Sequence, residues 1–463
     1  MAPHPREFSE ESAASHGTVT SEDARFARAA GEYLSSEIIK LRLSETEDQE
    51  EEESEEELEN KEDFTSTRRS EKQTESSSDD SSTYETLRCT LSVHPNDSTS
   101  SSFAQRMEKG KLLDNASLTV IGRGTCGTVF EIPGTETALK KGSNRDGIWI
   151  DANLTTVAWS AVLETKVLLE AAFPGASIPR VPQVYWWVSG DELASWWEQN
   201  RSRFPDQDND TGYLFQVQRI LPLTRPTRSA LIKKYFPLRF QEDALQHPGN
   251  KACLVRPYLG SRRDDHDFEH PADTLQNFPL HLDQMEDIGL DFAQFAKEMA
   301  MGLAVIHWKA GLDGMDMEFV IGSPTTGSEI STIVTHFMDI VPFSVSAGDF
   351  TRRQTHLWML DFDKAKQLDL NDWKKACAQM VTAVTGNDPY FPNPATSGDS
   401  EELAWSTFEK VYLQAANTLL QGHPTLSRKS KAKKYPAAFL SDWKKRAQSL
   451  EETKDGSFVE FGN

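Results

Sequence analysis

Ile121-Gly122-Arg123-Gly124-Thr125-Cys126-Gly127-Thr128-Val129-Phe130-Glu131 is the stretch whose reading decides the fold. Gly122, Gly124 and Gly127 fall as G-x-G-x-x-G, with Val129 two residues further on. Glycine is needed where a backbone must approach phosphate oxygens closely, because a Cβ would intrude. A dinucleotide loop that opens into a helix has the same spacing, so the residues that follow discriminate. Here Val129-Phe130-Glu131-Ile132 continues as strand, Pro133-Gly134 makes a turn, and Thr137-Ala138-Leu139-Lys140 returns. The pattern predicts a hairpin with a glycine-rich tip and an Ala-x-Lys, Ala138 and Lys140, on the returning strand.

Outward from the hairpin, apolar spacing predicts a helix from about Leu154 to Ala172, carrying Glu164. Ile178 to Val188 reads as β, residues 191–203 as an inserted helix, and Tyr213 to Leu221 as strand. Residues 224–282 show little pattern beyond a strand at Cys253 to Tyr258. The clearest helix then follows, with Ile288, Phe292, Phe295, Met299, Leu303 and Ile306 on one apolar stripe. It leads to Gly311-Leu312-Asp313-Gly314-Met315-Asp316-Met317-Glu318 and a strand, Phe319 to Ile321. A second strand, Leu357 to Phe362, runs into Asp361-Phe362-Asp363. Asn371 is expected to cap the next helix, with further helix around Val381, Trp405 to Leu419 and Trp443. The expected class is α+β.

In this order the motifs resemble the protein-kinase-like superfamily. The resemblance implies a two-lobed fold, with a β-rich small lobe at 113–223 and a mainly helical large lobe at 224–425. It implies ATP held by the backbone of Gly122, Gly124 and Gly127, flanked by Val129 and Ala138. Lys140 would contact the α- and β-phosphates and pair with Glu164. Asp313 would position the acceptor hydroxyl, and Asp361 and Glu318 would carry Mg²⁺. The chain also departs from the family pattern. Gly311 replaces the catalytic-loop His, Glu318 the metal-binding Asn, and Met315 a frequent Lys; Asp316 is an alternative acid in the same loop. Asp361-Phe362-Asp363, with no room for an activation segment, is closer to aminoglycoside phosphotransferases and related small-molecule kinases. Over roughly residues 215–420 the wording IHWKAGLDGMDMEFVIG, LWMLDFDKA and NDPYFPNP resembles a fungal family of kinase-like domains of unknown function, often labelled zinc-finger proteins. Two functions follow from the resemblance: a Mg·ATP-dependent phosphotransferase on a small-molecule or unusual acceptor, or a pseudokinase serving as an interaction module.

Composition bounds the remainder. A hydrophobic fraction of 37% and a mean hydropathy of −0.56 predict that part of the 463-residue chain is unfolded. Glu45 to Asp63 holds thirteen acidic residues and one basic, net −12 of the chain's −23. Residues 1–112 are therefore expected to be a disordered acidic arm, with an amphipathic helix at 21–43 that docks or forms only transiently. The connection spanning 322–356 is long for a compact domain. Residues 426–463 read as a basic tail, whose Arg428-Lys429-Ser430-Lys431-Ala432-Lys433-Lys434 suits an import receptor or a phosphate backbone, or is simply solvated. The acidic arm disfavours nucleic acid. Cys89, Cys126, Cys253 and Cys377 are scattered, with no disulfide or zinc spacing. With no apolar run of membrane length and no secretory leader, an intracellular location, cytoplasmic or nuclear, is expected. The expected partners are a nucleotide and an acceptor or protein whose identity the sequence leaves open.

Overall fold

The computed structural model describes residues 78–92, 96–98, 102–110, 117–188, 192–263, 274–324, 350, 352–423, 426–428 and 431–457. The expected helix at 21–43 and the acidic run ending at Asp63 lie outside them. Three elements come first: α1 (Ser78–Leu91), β1 (Asn96–Ser98) and α2 (Ser102–Gly110). They correct the expectation of a disordered arm reaching 112. The apolar residues in this polar stretch are few, but they fall at helical spacing. Leu87 and Leu91 are fully buried one turn apart on α1. Ala104 and Met107 are buried on α2, against Leu221 and Phe350. A composition averaged over the whole run conceals such pairs.

A five-stranded antiparallel sheet follows, in the order β2–β3–β4–β6–β5. Its strands are β2 (Thr119–Gly124), β3 (Gly127–Glu131), β4 (Thr137–Gly142), β5 (Val184–Trp187) and β6 (Tyr213–Gln218). The hairpin read from the glycines is β2–β3, and β4 is the returning strand. Alternation assigns the two faces. Phe130 and Leu139, paired across β3 and β4, pack with Trp196, Trp197, Phe204 and Leu214 on one side. Their neighbours Val129 and Lys140, also paired, face the other side. Trp196 and Trp197 come from α4 (Glu192–Asn200), the inserted helix.

On the Lys140 face lies α3 (Arg145–Ala172), 28 residues long. It begins nine residues before the expected Leu154 because Asn144 caps it, accepting from the Asp146 and Gly147 amides at 3.0 and 3.2 Å. It stops at Phe173, before Pro174, which disfavours helix at the residue preceding it. Residues 224–282, where the sequence showed only the strand at Cys253 to Tyr258, hold α5 (Arg225–Tyr235), α6 (Leu238–Gln246), that strand as β7 (Val255–Tyr258), and β8 (Phe278–His281).

Next come α7 (Leu282–Asp287), α8 (Phe292–Val305), β9 (Glu318–Gly322), β10 (Arg352–Gln354) and β11 (His356–Leu360). A second sheet has the order β11–β9–β7–β8, with β7 and β8 parallel and the other pairs antiparallel. β10 pairs with β1. The chain ends in α9 (Trp373–Gly386), α10 (Asp399–Gly422) and α11 (Tyr435–Ser457). Asp372, not Asn371, caps α9, its side chain accepting from the Lys375 amide. α8 is the central helix, with Phe295 to Val305 buried apart from Lys297. α11 is the helix expected around Trp443, and its packing corrects the reading of 426–463 as a tail. Phe439, Leu440, Trp443 and Ala447 belong to the main core, and the Trp443 ring lies 5.1 to 5.9 Å from those of Trp405, Phe408 and Phe391. The basic cluster lies beside it, with Lys431, Lys433 and Lys434 exposed.

Candidate functional site

Lys140 is the point where the first sheet, α3 and the end of β11 meet. Its Nζ lies 2.6 Å from Asp151 and 2.8 Å from Asp361. Asp151 is in the second turn of α3, buried, with its other oxygen accepting from Thr155 at 3.2 Å. Burial alone would lower the lysine's pKa. The charges of Asp151 and Asp361 outweigh it, so the ammonium is held charged well above the ordinary lysine range.

Glu164, the expected partner of Lys140, is not at this point. It lies three turns further along α3 and pairs with Lys309. The correction follows from where the helix starts. A cap at Asn144 puts Asp151, not Glu164, opposite the middle of β4. That cap was the signal in the sequence that identifies Asp151.

Asp361 is placed by its backbone. It follows β11 directly and adopts φ +63°, a left-handed conformation uncommon for a residue with a Cβ. β11 is anchored to the first sheet's side of the molecule through Arg180, whose N–H donates to the Leu357 carbonyl and whose carbonyl accepts from Met359 at 2.8 and 2.7 Å. Lys140 and Asp361, 221 residues apart, are thereby held together.

The glycine hairpin leans onto the same segment. At its tip the Cys126 thiol donates to Asp363. Bonding to that carboxylate, then burial, pushes the thiol's pKa up. Arg123 fixes the hairpin's flank through paired bonds to Asp208 at 2.6 and 2.8 Å. Gly127 is required by packing, since a Cβ there would lie 2.3 Å from the Lys141 carbonyl oxygen. Gly122 and Gly124 differ. A Cβ on either would meet nothing closer than 3.8 Å, and neither has positive φ. Among the described residues nothing requires these two to be glycine.

The loop from Gly311 to Glu318 holds the remaining acids. The helix before it ends in a π turn, Ile306–Ala310, closed by Gly311 at φ +69°. Asp313 is 1% exposed, and its oxygens accept from the Met315 and Lys366 amides and from Gln379 at 2.8 to 3.1 Å. Asp316 is half exposed at φ +62° and pairs with Lys364. Asn387 holds this loop from outside, accepting from the Asp316 amide at 2.7 Å and donating to the Gly314 carbonyl at 2.8 Å. His307, buried behind it, bonds Tyr412 at 2.8 Å.

Glu318 opens β9 and pairs with Arg256 at 2.7 Å. Burial first, and then the charges of Asp361, Asp388 and Asp316, push its pKa up to about 7 against the pull of Arg256. The structure thus brings Lys140, Asp361, Glu318 and Asp316 into one electrostatic neighbourhood. Val129 and Ala138 flank Lys140 on the sheet face. Asp313 lies beneath the loop, and Glu164 lies apart. Arg256, Asn387 and Asp388 join the neighbourhood without any spacing signal in the sequence, because they come from β7 and from the end of α9, both distant in the chain from Glu318.

One family model finds this chain. It is described as "DUF3669: Zinc finger protein", and it matches residues 357–424. The matched segment runs from β11 through α9 into the end of α10, so it includes Asp361, Asp363, Asn387 and Asp388 but not the glycine hairpin. It contains one cysteine, Cys377, which is buried. Among the described residues no group of three or more His, Cys, Asp and Glu side chains is placed to hold a metal ion. No curated protein and no solved structure matches the chain. Among the described residues no helix is long and apolar enough to cross a membrane.

Proposed function

We propose that the chain binds a nucleoside triphosphate with Mg²⁺ in the manner of the protein-kinase-like superfamily, and that it transfers a phosphoryl group to a small-molecule or unusual acceptor. The observation that carries this reading is the Lys140 bridge between Asp151 and Asp361. A lysine on the strand after a glycine hairpin, tied to a helix carboxylate and to the acid that follows a later strand, is the arrangement such chemistry needs.

The residues present fit the group. Among the described residues no side chain fills the backbone face that Gly122 and Gly124 leave, and Asp363 Oδ1 is buried without a partner. Asp361 and Glu318 are two hard oxygen donors. That is a usual protein share for Mg²⁺, whose other ligands are phosphates and water, so a metal cluster built by the protein alone is not required. When bound, the ion neutralises charge on the transferring phosphoryl group. Lys140 orients the phosphates. Asp316 is better placed than Asp313 to receive the acceptor hydroxyl, because three donors already occupy the buried Asp313 carboxylate.

A second reading, a pseudokinase, is favoured by one contact. Cys126 on Asp363 closes the glycine hairpin onto the segment that would hold metal. Thermal shift with ATP, with and without Mg²⁺, separates the readings from neither. Under the binding proposal, wild type gains stability only with both present, by about 2.7 kcal/mol at a hundredfold excess over Kd. Lys140→Met and Asp361→Ala lose the gain. A wild type that does not shift overturns nucleotide binding. ATP turnover abolished by Asp316→Asn supports the transferase, whereas binding without turnover supports the pseudokinase.

A further inference from the structure

We propose a second ligand site, separate from the Lys140 cluster, that lies between α5, α7 and Arg263 and takes a small organic carboxylate. A half-open cavity of about 360 Å³ is lined by Lys234, Tyr235, Arg263, Asp283, Gln284 and Asp287. That size falls in the range of small-molecule sites.

Two of the lining groups are buried polar atoms with nothing to bond. Among the described residues the Tyr235 hydroxyl and the Gln284 amide nitrogen have no hydrogen-bond partner, and the two residues are 8% and 2% exposed. Leaving such groups unmatched is costly, so two on one cavity wall point to an acceptor from outside. The orientation of Gln284 is fixed independently. Its Oε1 accepts from the His281 amide at 2.8 Å in the cap of α7, which commits the nitrogen to the other direction. Arg263 adds a third donor. Its guanidinium stands 5.9 Å from the Tyr235 ring centre, and among the described residues no carboxylate pairs with it.

The acceptors on the same wall are engaged. Asp287 takes Lys234 at 2.9 Å and the Tyr84 hydroxyl at 3.2 Å. Asp283 accepts from the Arg263 backbone N–H at 2.8 Å. Burial, reinforced by Asp287, raises the Tyr235 pKa, so its hydroxyl keeps its proton and donates. The unmatched groups can therefore all donate, and they line one cavity together with two acids. A monoanionic oxygen pair satisfies them, and a phosphate dianion meets repulsion from Asp283 and Asp287.

The test titrates the full chain with acetate, propionate and lactate, and with inorganic phosphate at equal ionic strength, by calorimetry. At least one carboxylate is expected to saturate one site, with phosphate weaker by about tenfold or more. Tyr235→Phe removes only the unmatched hydroxyl; it should weaken carboxylate binding about tenfold while the melting temperature holds or rises. Gln284→Glu keeps the oxygen that caps α7, replaces the donor with an acid, and should abolish binding. The proposal is overturned if no carboxylate binds, if phosphate binds as tightly, or if both variants bind like wild type.

Discussion

Two buried residues show how single side chains set the local chemistry. Asp151 compensates a lysine that burial would otherwise discharge, whereas Glu164 sits in a half-exposed pair with Lys309. Removing one partner of a buried pair costs about 3–5 kcal/mol, toward the lower end here because Asp361 still faces Lys140. Surface pairs contribute under about 1 kcal/mol. Asp151→Asn should therefore destabilise the chain strongly and Glu164→Gln hardly at all, as denaturant melts will show. Equal losses would contradict the placement of Asp151.

His307 offers a pH test. The Trp308 indole donates to the Tyr412 hydroxyl at 3.0 Å, and that hydroxyl bonds His307 Nδ1 at 2.8 Å. Burial lowers the ring's pKa to about 3. Between that value and the ordinary histidine value of about 6.5, the unfolded chain binds a proton that the folded chain refuses. Stability from this group is complete above pH ~6.5 and falls on acidification, by about 1.4 kcal/mol per pH unit. His307→Asn should flatten that part of the acid-unfolding curve.

At the scale of elements, α8 bears most of the packing. Gly302 on it faces Met359 and Pro179, and an added Cβ would lie 2.8 Å from the Met359 sulfur. Gly302→Ala should cost about 1–3 kcal/mol through overpacking, and Met299→Ala about 2–5 kcal/mol through a cavity. Both are measurable as shifted urea midpoints.

The elements also show what could be read in advance. The hairpin, β4 and α8 were legible because alternation and a single apolar stripe are local signals. The cap at Asn144 was local too, yet apolar spacing alone started that helix nine residues late and pointed to the wrong acid. α5 and α6 were not legible. α5 buries its apolar residues against α1, whose own stretch reads as polar, so neither side of that contact announces itself alone, and α6 buries only Ala244. Asn387 and Arg256 belong to the site only through the fold, and no spacing brings them near Glu318.

At the scale of the whole molecule, segments distant from the candidate site hold its frame. α2 fastens to the first sheet through Arg106, which bonds Glu131, itself paired with Arg219 at 2.5 Å in full burial. α11 closes the other side, where Phe439 packs on His307 at 5.0 Å and Trp443 joins the ring cluster. Trp443→Ala should cost about 3–5 kcal/mol. A chain ending at residue 425 should expose that cluster and bind a hydrophobic dye. If such a truncation melts like the full chain, α11 is not part of the core.

The thiol at the hairpin tip makes the molecule its own stopwatch. Cys253 and Cys377 are buried and Cys89 is exposed, so in a Cys89→Ser background Cys126 is the accessible sulfur. Because its proton is held by Asp363, iodoacetamide should consume it slowly while that bond is made. The alkylation half-life therefore reports on the Cys126–Asp363 contact. Asp363→Asn should shorten that half-life several-fold, and a bound triphosphate, by pinning the tip elsewhere, should change it without any label on the ligand.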